Sequence, residues 1–258
     1  MSDYSRFRLI PSLPLTRLPG SGELGVSTAT WEGGRGFTLG SSSDFESCRR
    51  WLRESYPRDL PWLLSSWGRG GTAPDYRSIK ESRVRGVERW VDPGVRSLDD
   101  VFDVLALDVG RLLLSSLTLE SAVVLEEAME ISDSCLPLLM CDGHDLIHRK
   151  KRSRVEETLR LLYDLGYQEA IVMDLPRLGR GLGPSPALER LSSSELRIIP
   201  AGGLVENDIP RLMSMGFTEA IRDPRLPAQR DAADVGRPLP SSSTLKVRDA
   251  AARGTRAI

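Results

Sequence analysis

The chain is short of lysine, histidine and cysteine, and each shortage closes off a class of function. Only Lys80, Lys150, Lys151 and Lys246 interrupt an otherwise all-Arg set of cations, and the formal charge is −1. A general nucleic-acid binder would carry a basic footprint, so no nucleic-acid partner is expected. Cys48, Cys135 and Cys141 are an odd count without CxxC spacing, which suggests neither a disulfide framework nor a zinc site. The two histidines, His144 and His148, flank Asp145 at i and i+4, a metal-ligand spacing if they share a helix. The segment reads instead as a loop after a strand, so neither metal nor cofactor is expected. No apolar run approaches the roughly 20 residues that span a bilayer, and MSDYSRFRLIP lacks the apolar core of a signal peptide. The expectation is a cytoplasmic protein without membrane contact.

What the chain does contain is alternation. Apolar runs at Arg8–Leu15, Leu60–Ser66, Val87–Val91, Arg111–Ser116, Leu136–Cys141, Glu169–Asp174, Leu196–Ala201 and Thr218–Arg222 read as buried parallel strands. Between them lie amphipathic stretches near Asp44–Ser55, Asp75–Arg85, Leu98–Leu107, Leu119–Ile131, Ser153–Leu165, Ser185–Leu191 and Val205–Met215. Capping-box spacing marks helix starts at Ser97-x-x-Asp100 and Ser153-x-x-Glu156, and Gly110, Gly166 and Gly216 mark helix stops. Eight strands and at least seven helices in 258 residues match a single (β/α)8 barrel over residues 1–258. A doubly wound open sheet is the structural alternative. Residues 20–43, rich in Gly and Ser, read as a long loop after the first strand. Residues 225–258 read as an eighth helix and a frayed tail.

The most telling stretch is Ile171–Phe217, where IVMD and RIIPAGG are each followed by a glycine-bearing turn and a helix-like segment. Gly202-Gly203 fall where strand gives way to helix, and exposed N–H groups there suit a phosphate. DPGVRSLDDV at Asp92–Val101 echoes AGGLVENDIP at Ala201–Pro210, as a repeated phosphate turn would. Other features read more plainly. GRGLG at Gly179–Gly183 is no dinucleotide fingerprint, since no GxGxxG opens a helix there. HRKKRSR at His148–Arg154 reads as a solvated helix start, and Trp51, Trp62 and Trp90 as core, with Trp67 a pocket candidate.

LIPSLPL, DPGVRSLDDV, LTLES, MDLPRLGRGLGP and IIPAGGLVENDIPRLMSMGF, in that order, give the chain its likeness to a family. From Arg8 to about Asp223 it resembles the ProFAR isomerase group of histidine-biosynthesis barrels, and especially its archaeal isomerase-related relatives. That resemblance implies a (β/α)8 barrel of the ribulose-phosphate-binding type, a phosphorylated sugar or ribonucleotide held at the C-terminal face, and an Amadori aldose-to-ketose rearrangement. Such chemistry needs an acid and a base.

At the position of one family Asp stands Pro14, and at the position of the other stands Cys141, followed by Asp142. The family Thr is Met173, followed by Asp174; an acidic patch is replaced by Ser65 and Ser66. The catalytic candidates are therefore Asp142 and Asp174. The phosphate candidates are Gly94, Arg96, Ser115 and Ser116 on one half, and Gly202, Gly203 and Arg222 on the other. Arg222 has an alternative role as the ion-pair partner of Asp223. With Pro14 and Met173 in place of two catalytic groups, the standard ProFAR reaction is not expected. The competing reading is a non-catalytic binding, regulatory or assembly protein on the same fold. The sequence leaves the oligomeric state open.

Overall fold

The computed structural model describes residues 7–57, 59–66, 74–143, 145–148 and 151–226. The expected sites at Trp67, His144 and residues 227–258 lie outside these. The eight expected apolar runs each form a strand: β1 (Arg8–Arg17), β4 (Trp62–Ser65), β5 (Arg89–Asp92), β6 (Arg111–Ser115), β7 (Cys135–Asp142), β10 (Glu169–Asp174), β11 (Arg197–Ala201) and β12 (Glu219–Arg222). They pair in parallel in the order β11-β10-β7-β6-β5-β4-β1, and β12 pairs with the outer side of β1. β11 neighbours β12, but among the described residues no backbone ladder joins the two. The fold is thus α/β, built on a twelve-stranded, mostly parallel sheet.

Two further pairs of strands were not expected. β2 (Leu24–Trp31) and β3 (Phe37–Asp44) form an antiparallel hairpin where a Gly/Ser loop was expected. β2 pairs with the end of β1, Leu15 opposite Val26. LGVSTATW carries β-branched and aromatic residues that suit a pleated strand, which the neighbouring glycines and serines obscure. A second hairpin, β8 (Asp145–His148) and β9 (Lys151–Arg154), extends β7. It replaces the helix start expected at Ser153. Ser153 lies in β9, and the following helix opens at Val155 behind Arg154, with no side-chain cap.

The helices are α1 (Phe45–Ser55), α2 (Tyr76–Glu81), α3 (Leu98–Leu105), α4 (Val123–Ile131), α5 (Val155–Asp164), α6 (Pro186–Leu191) and α7 (Ile209–Ser214). Several start as their sequences dictate. Asp44 accepts from Ser47 N–H at 2.8 Å to open α1, and Ser97 with Asp100 makes the expected capping box on α3. No helix among the described residues is long and apolar enough to cross a membrane.

Strand alternation sorts the apolar residues into two cores. Leu9, Leu13, Leu64, Val91, Leu112, Leu114, Leu139, Val172 and Ile198 meet buried residues of the helices, such as Leu52, Val101, Leu125, Leu159 and Leu212. The other face gathers Ile10, Leu63, Trp90, Leu113, Leu138, Ile171, Ile199 and Ile221, one from each of the eight parallel strands. Among the described residues no α-helix contributes to this second core. Its C-terminal end is covered by Ala29 from β2, Ile147 from β8, and Leu175 and Leu178 from the turn after β10. Charged residues line its other end. Glu219 (1% exposed) binds Arg8 at 3.2 Å and Arg197 at 2.5 Å; Arg197 also binds Glu169, and Glu169 binds Arg111. This chain of alternating charge crosses from β11 to β12, where the ladder is missing.

Candidate functional site

Ligand sites in parallel sheets gather at the carboxyl ends of the strands, and the candidate residues divide there into two groups. At the ends of β5 and β6 stand Gly94, Arg96, Ser115 and Ser116. In the β5–α3 turn Asp100 takes up the backbone donors, while among the described residues the buried Arg96 Nε makes no hydrogen bond. Asp100 accepts from Arg96 N–H at 2.9 Å and Ser97 N–H at 3.4 Å, and its carboxylate lies 3.5 Å from the Arg96 guanidinium. Gly94 N–H donates to Asp92 at 3.3 Å. Ser116 donates from its hydroxyl to Ile147 O at 2.9 Å and accepts from Met140 N–H at 3.0 Å, which ties the β8 hairpin to β7. The Ser115 carbonyl accepts from Thr118 and Leu119 N–H to close the next turn.

The two candidate carboxylates sit on neighbouring strands, yet they face apart. Asp174 ends β10 opposite Cys141 in the register. Alternation from Met173, in the inner core, turns Asp174 toward the helices. There it is 5% exposed, bonded to the Ser185 side chain and 3.7 Å from Arg177. Burial raises its pKa above the ordinary carboxylate value, with the nearby Asp142 adding to the rise. Asp142 follows Leu136, Leu138 and Met140 on the inner side, and Arg152 of β9 holds it at 3.0 Å. Cys141 points to the helix layer, its thiol pushed up by burial and then by Asp174, so it is no ready nucleophile.

The second group surrounds the turn after β11. Gly202 packs against the backbone of Asp174 so closely that a Cβ would collide with its carbonyl oxygen, and φ there is +92°. Gly203 follows at φ +75° and donates its N–H to Asp223 Oδ1 at 2.7 Å. Asp223 is 6% exposed, and its other oxygen accepts from Gly181 N–H at 3.3 Å. Gly179 N–H also bonds this carboxylate. Burial raises the Asp223 pKa, against the lowering by these three donors. Asp208 accepts from Val205 N–H at 2.8 Å, as Asp100 does from Ser97. Each of these carboxylates lies six residues beyond its turn glycine, Gly94 or Gly202, so the echo in the sequence is also an echo in hydrogen bonding.

Arg222 stands apart from that turn. It lies on the helix side of β12, 2% exposed at its side chain, bonded to Glu206 at 2.7 Å. Its guanidinium lies over the rings of Trp51 and Tyr56 at 5.5 and 5.2 Å. Burial lowers its pKa to about 10. Alternation separates it from Asp223, so the two residues make no ion pair.

Two functional candidates were missed in the sequence. Asp223 would have been placed by counting outward from Ile221, which puts it on the inner side. Asp92, 3% exposed, shares an inner-face row with Pro14 and Ser65, as the pairings Pro14↔Ser65 and Ser65↔Asp92 show. Among the described residues no group of three His, Cys, Asp or Glu is placed to hold a metal ion. Comparison with known proteins finds no matching family model and no matching curated protein.

Proposed function

We propose that the chain is a (β/α)8 barrel of the ribulose-phosphate-binding type that works as a non-catalytic binding or assembly protein related to the ProFAR isomerases. Several features support the barrel. Eight parallel strands run in sequence order, β12 pairs back onto β1, and Arg197 bridges β11 to Glu219 on β12. An apolar core fed by all eight strands and, among the described residues, by no α-helix needs a cover, and a sheet curled on itself supplies one.

The observation that carries the non-catalytic reading is the make-up of the inner rim. An Amadori rearrangement needs two positioned proton carriers facing one substrate. The rim offers Pro14, Met173 and Ala201 from β1, β10 and β11. Its carboxylates at Asp92 and Asp142 stand on strands two apart, roughly 10 Å along the rim, and that of Asp223 is taken up by the N–H groups of Gly203 and Gly181. Asp142 is held by Arg152, and Asp174 is turned to the helices. Loss of a positioned acid or base costs about 10²–10⁴-fold in rate, and here no opposed pair remains. A binding role is supported on the outer surface. A cleft of about 840 Å³ between α4 and α5 is walled by Leu114, Leu119, Leu125, Leu139, Leu146 and Leu161, a concave apolar lining of the kind that binding sites use.

The test is an isomerisation assay with ProFAR, run beside thermal-shift titrations with ProFAR and ribose phosphates. No turnover by the native chain is expected. Turnover that Asp174→Asn or Asp142→Asn abolishes would overturn the reading and restore the isomerase.

A further inference from the structure

The glycines after β10 and β11 surround a carboxylate that the chain itself supplies. Gly203 N–H reaches Asp223 Oδ1 at 2.7 Å and Gly181 N–H reaches Oδ2 at 3.3 Å, with Gly179 N–H as a third donor. Asp223 makes no side-chain ion pair among the described residues, and Asp208 brings a second negative charge close by. What holds this carboxylate is therefore backbone N–H alone. Converging N–H groups from glycine-rich turns form a concavity that binds oxyanions, whether carboxylate or phosphoryl. The position is also enforced. Asp223 N–H donates to Leu204 O at 2.9 Å, and Gly183 N–H donates to Gly203 O at 2.8 Å, so the three turns are laced together around the carboxylate.

We propose that Gly179, Gly181 and Gly203 form an oxyanion-binding nest that Asp223 fills in cis, and that the nest takes up a phosphoryl oxyanion once that carboxylate is gone. The inference rests on the preceding reading only in placing the nest at the rim of a mouth without an acid–base pair. In the native chain a free anion competes with a tethered carboxylate at very high effective concentration, and it must also face the charge of Asp208. Native protein therefore refuses phosphate at this site. With Asp223 replaced by Ala, the three N–H groups lose their acceptor while buried, and an oxyanion of suitable size restores it.

The experiment titrates inorganic phosphate, and separately ribose 5-phosphate, against the native chain, Asp223→Ala and Asp223→Asn. Unfolding temperature is followed together with the ¹⁵N–¹H shifts of glycine-labelled protein, and sodium chloride at matched ionic strength is the control. Asp223→Ala should bind phosphate roughly tenfold or more tightly than the native chain, with a saturable rise in Tm and shifts at Gly181 and Gly203. Asp223→Asn keeps an acceptor for Gly203 without the charge and should fall between the two. If Asp223→Ala folds only in phosphate, that rescue supports the nest, and Asp223→Asn carries the titration. Phosphate acting no differently from chloride on both variants would overturn the proposal, as would equal binding by the native chain. Ribose 5-phosphate matching inorganic phosphate would place recognition in the phosphoryl group alone; tighter binding would extend the nest to the sugar. ProFAR turnover by the native chain would sink the non-catalytic reading and leave the nest standing, whereas a failed phosphate titration does the reverse.

Discussion

Replacing Gly202 by alanine tests the packing of the β11 turn, and Gly216 provides a matched control. Both glycines have φ near +90°, at +92° and +90°. The left-handed backbone therefore costs an alanine about 1–2 kcal/mol at either position. The surroundings differ. A Cβ on Gly216 meets nothing within 4 Å, while one on Gly202 would collide with the Asp174 carbonyl oxygen and lie 2.9 Å from its C and N. These are backbone atoms at the end of β10, so relief requires moving the strand end and not merely a side chain. Overpacking of that kind costs about 1–3 kcal/mol more. Gly216→Ala should thus lose about 1–2 kcal/mol and Gly202→Ala about 2–5 kcal/mol. Urea unfolding followed by tryptophan fluorescence measures both, with unchanged m-values showing that stability alone has moved. If Gly202→Ala lost no more than Gly216→Ala, the close approach of β10 and β11 at the candidate site would be refuted.

Two further perturbations reach other parts of the molecule. Glu219→Ala removes the partner of both Arg8 and Arg197. Those arginines are half exposed and can rehydrate, so the loss should be about 1–3 kcal/mol by urea unfolding; a change indistinguishable from zero would show the charge chain to be decorative. Asp174 has a folded pKa raised by burial above the ordinary carboxylate value, so its contribution is fully present below the unfolded pKa and is lost as pH rises through the folded one. Asp174→Asn should therefore gain stability relative to the native chain between pH 4 and pH 7, read from paired melts; a relative loss over that interval would contradict the assignment.

The parallel strands were legible because a strand buried on both faces reads as a short continuous apolar run, as in RLLLS or EAIVMD. The hairpins were not. Much of β3 is exposed, and FTLGSSSD carries too little apolar pattern to separate it from a loop. The turn at Gly202-Gly203 was legible for its paired glycines beside an apolar run. Its occupant was not, because Asp223 meets Gly203 and Gly181 across 20 and 42 residues of chain. Arg222 next to Asp223 invited an ion pair, which strand alternation forbids. Asp174 and Asp142 were found as residues, but their opposite directions depend on which neighbour of each is buried in the inner core.

The pairing of β1 with β12 also governs how the chain is made. Arg8 and Glu219 are 211 residues apart, and at translation rates of about 5–20 residues per second that interval lasts roughly 10–40 s. Throughout it the first strand has emerged while the edge destined for the last strand stays open. Such an edge is a template for wrong pairing. Pro14 stands an even number of residues from Arg8, whose N–H bonds Thr218 O beside β12, so by strand alternation it withholds an N–H from that edge and blunts it while the ribosome finishes its work.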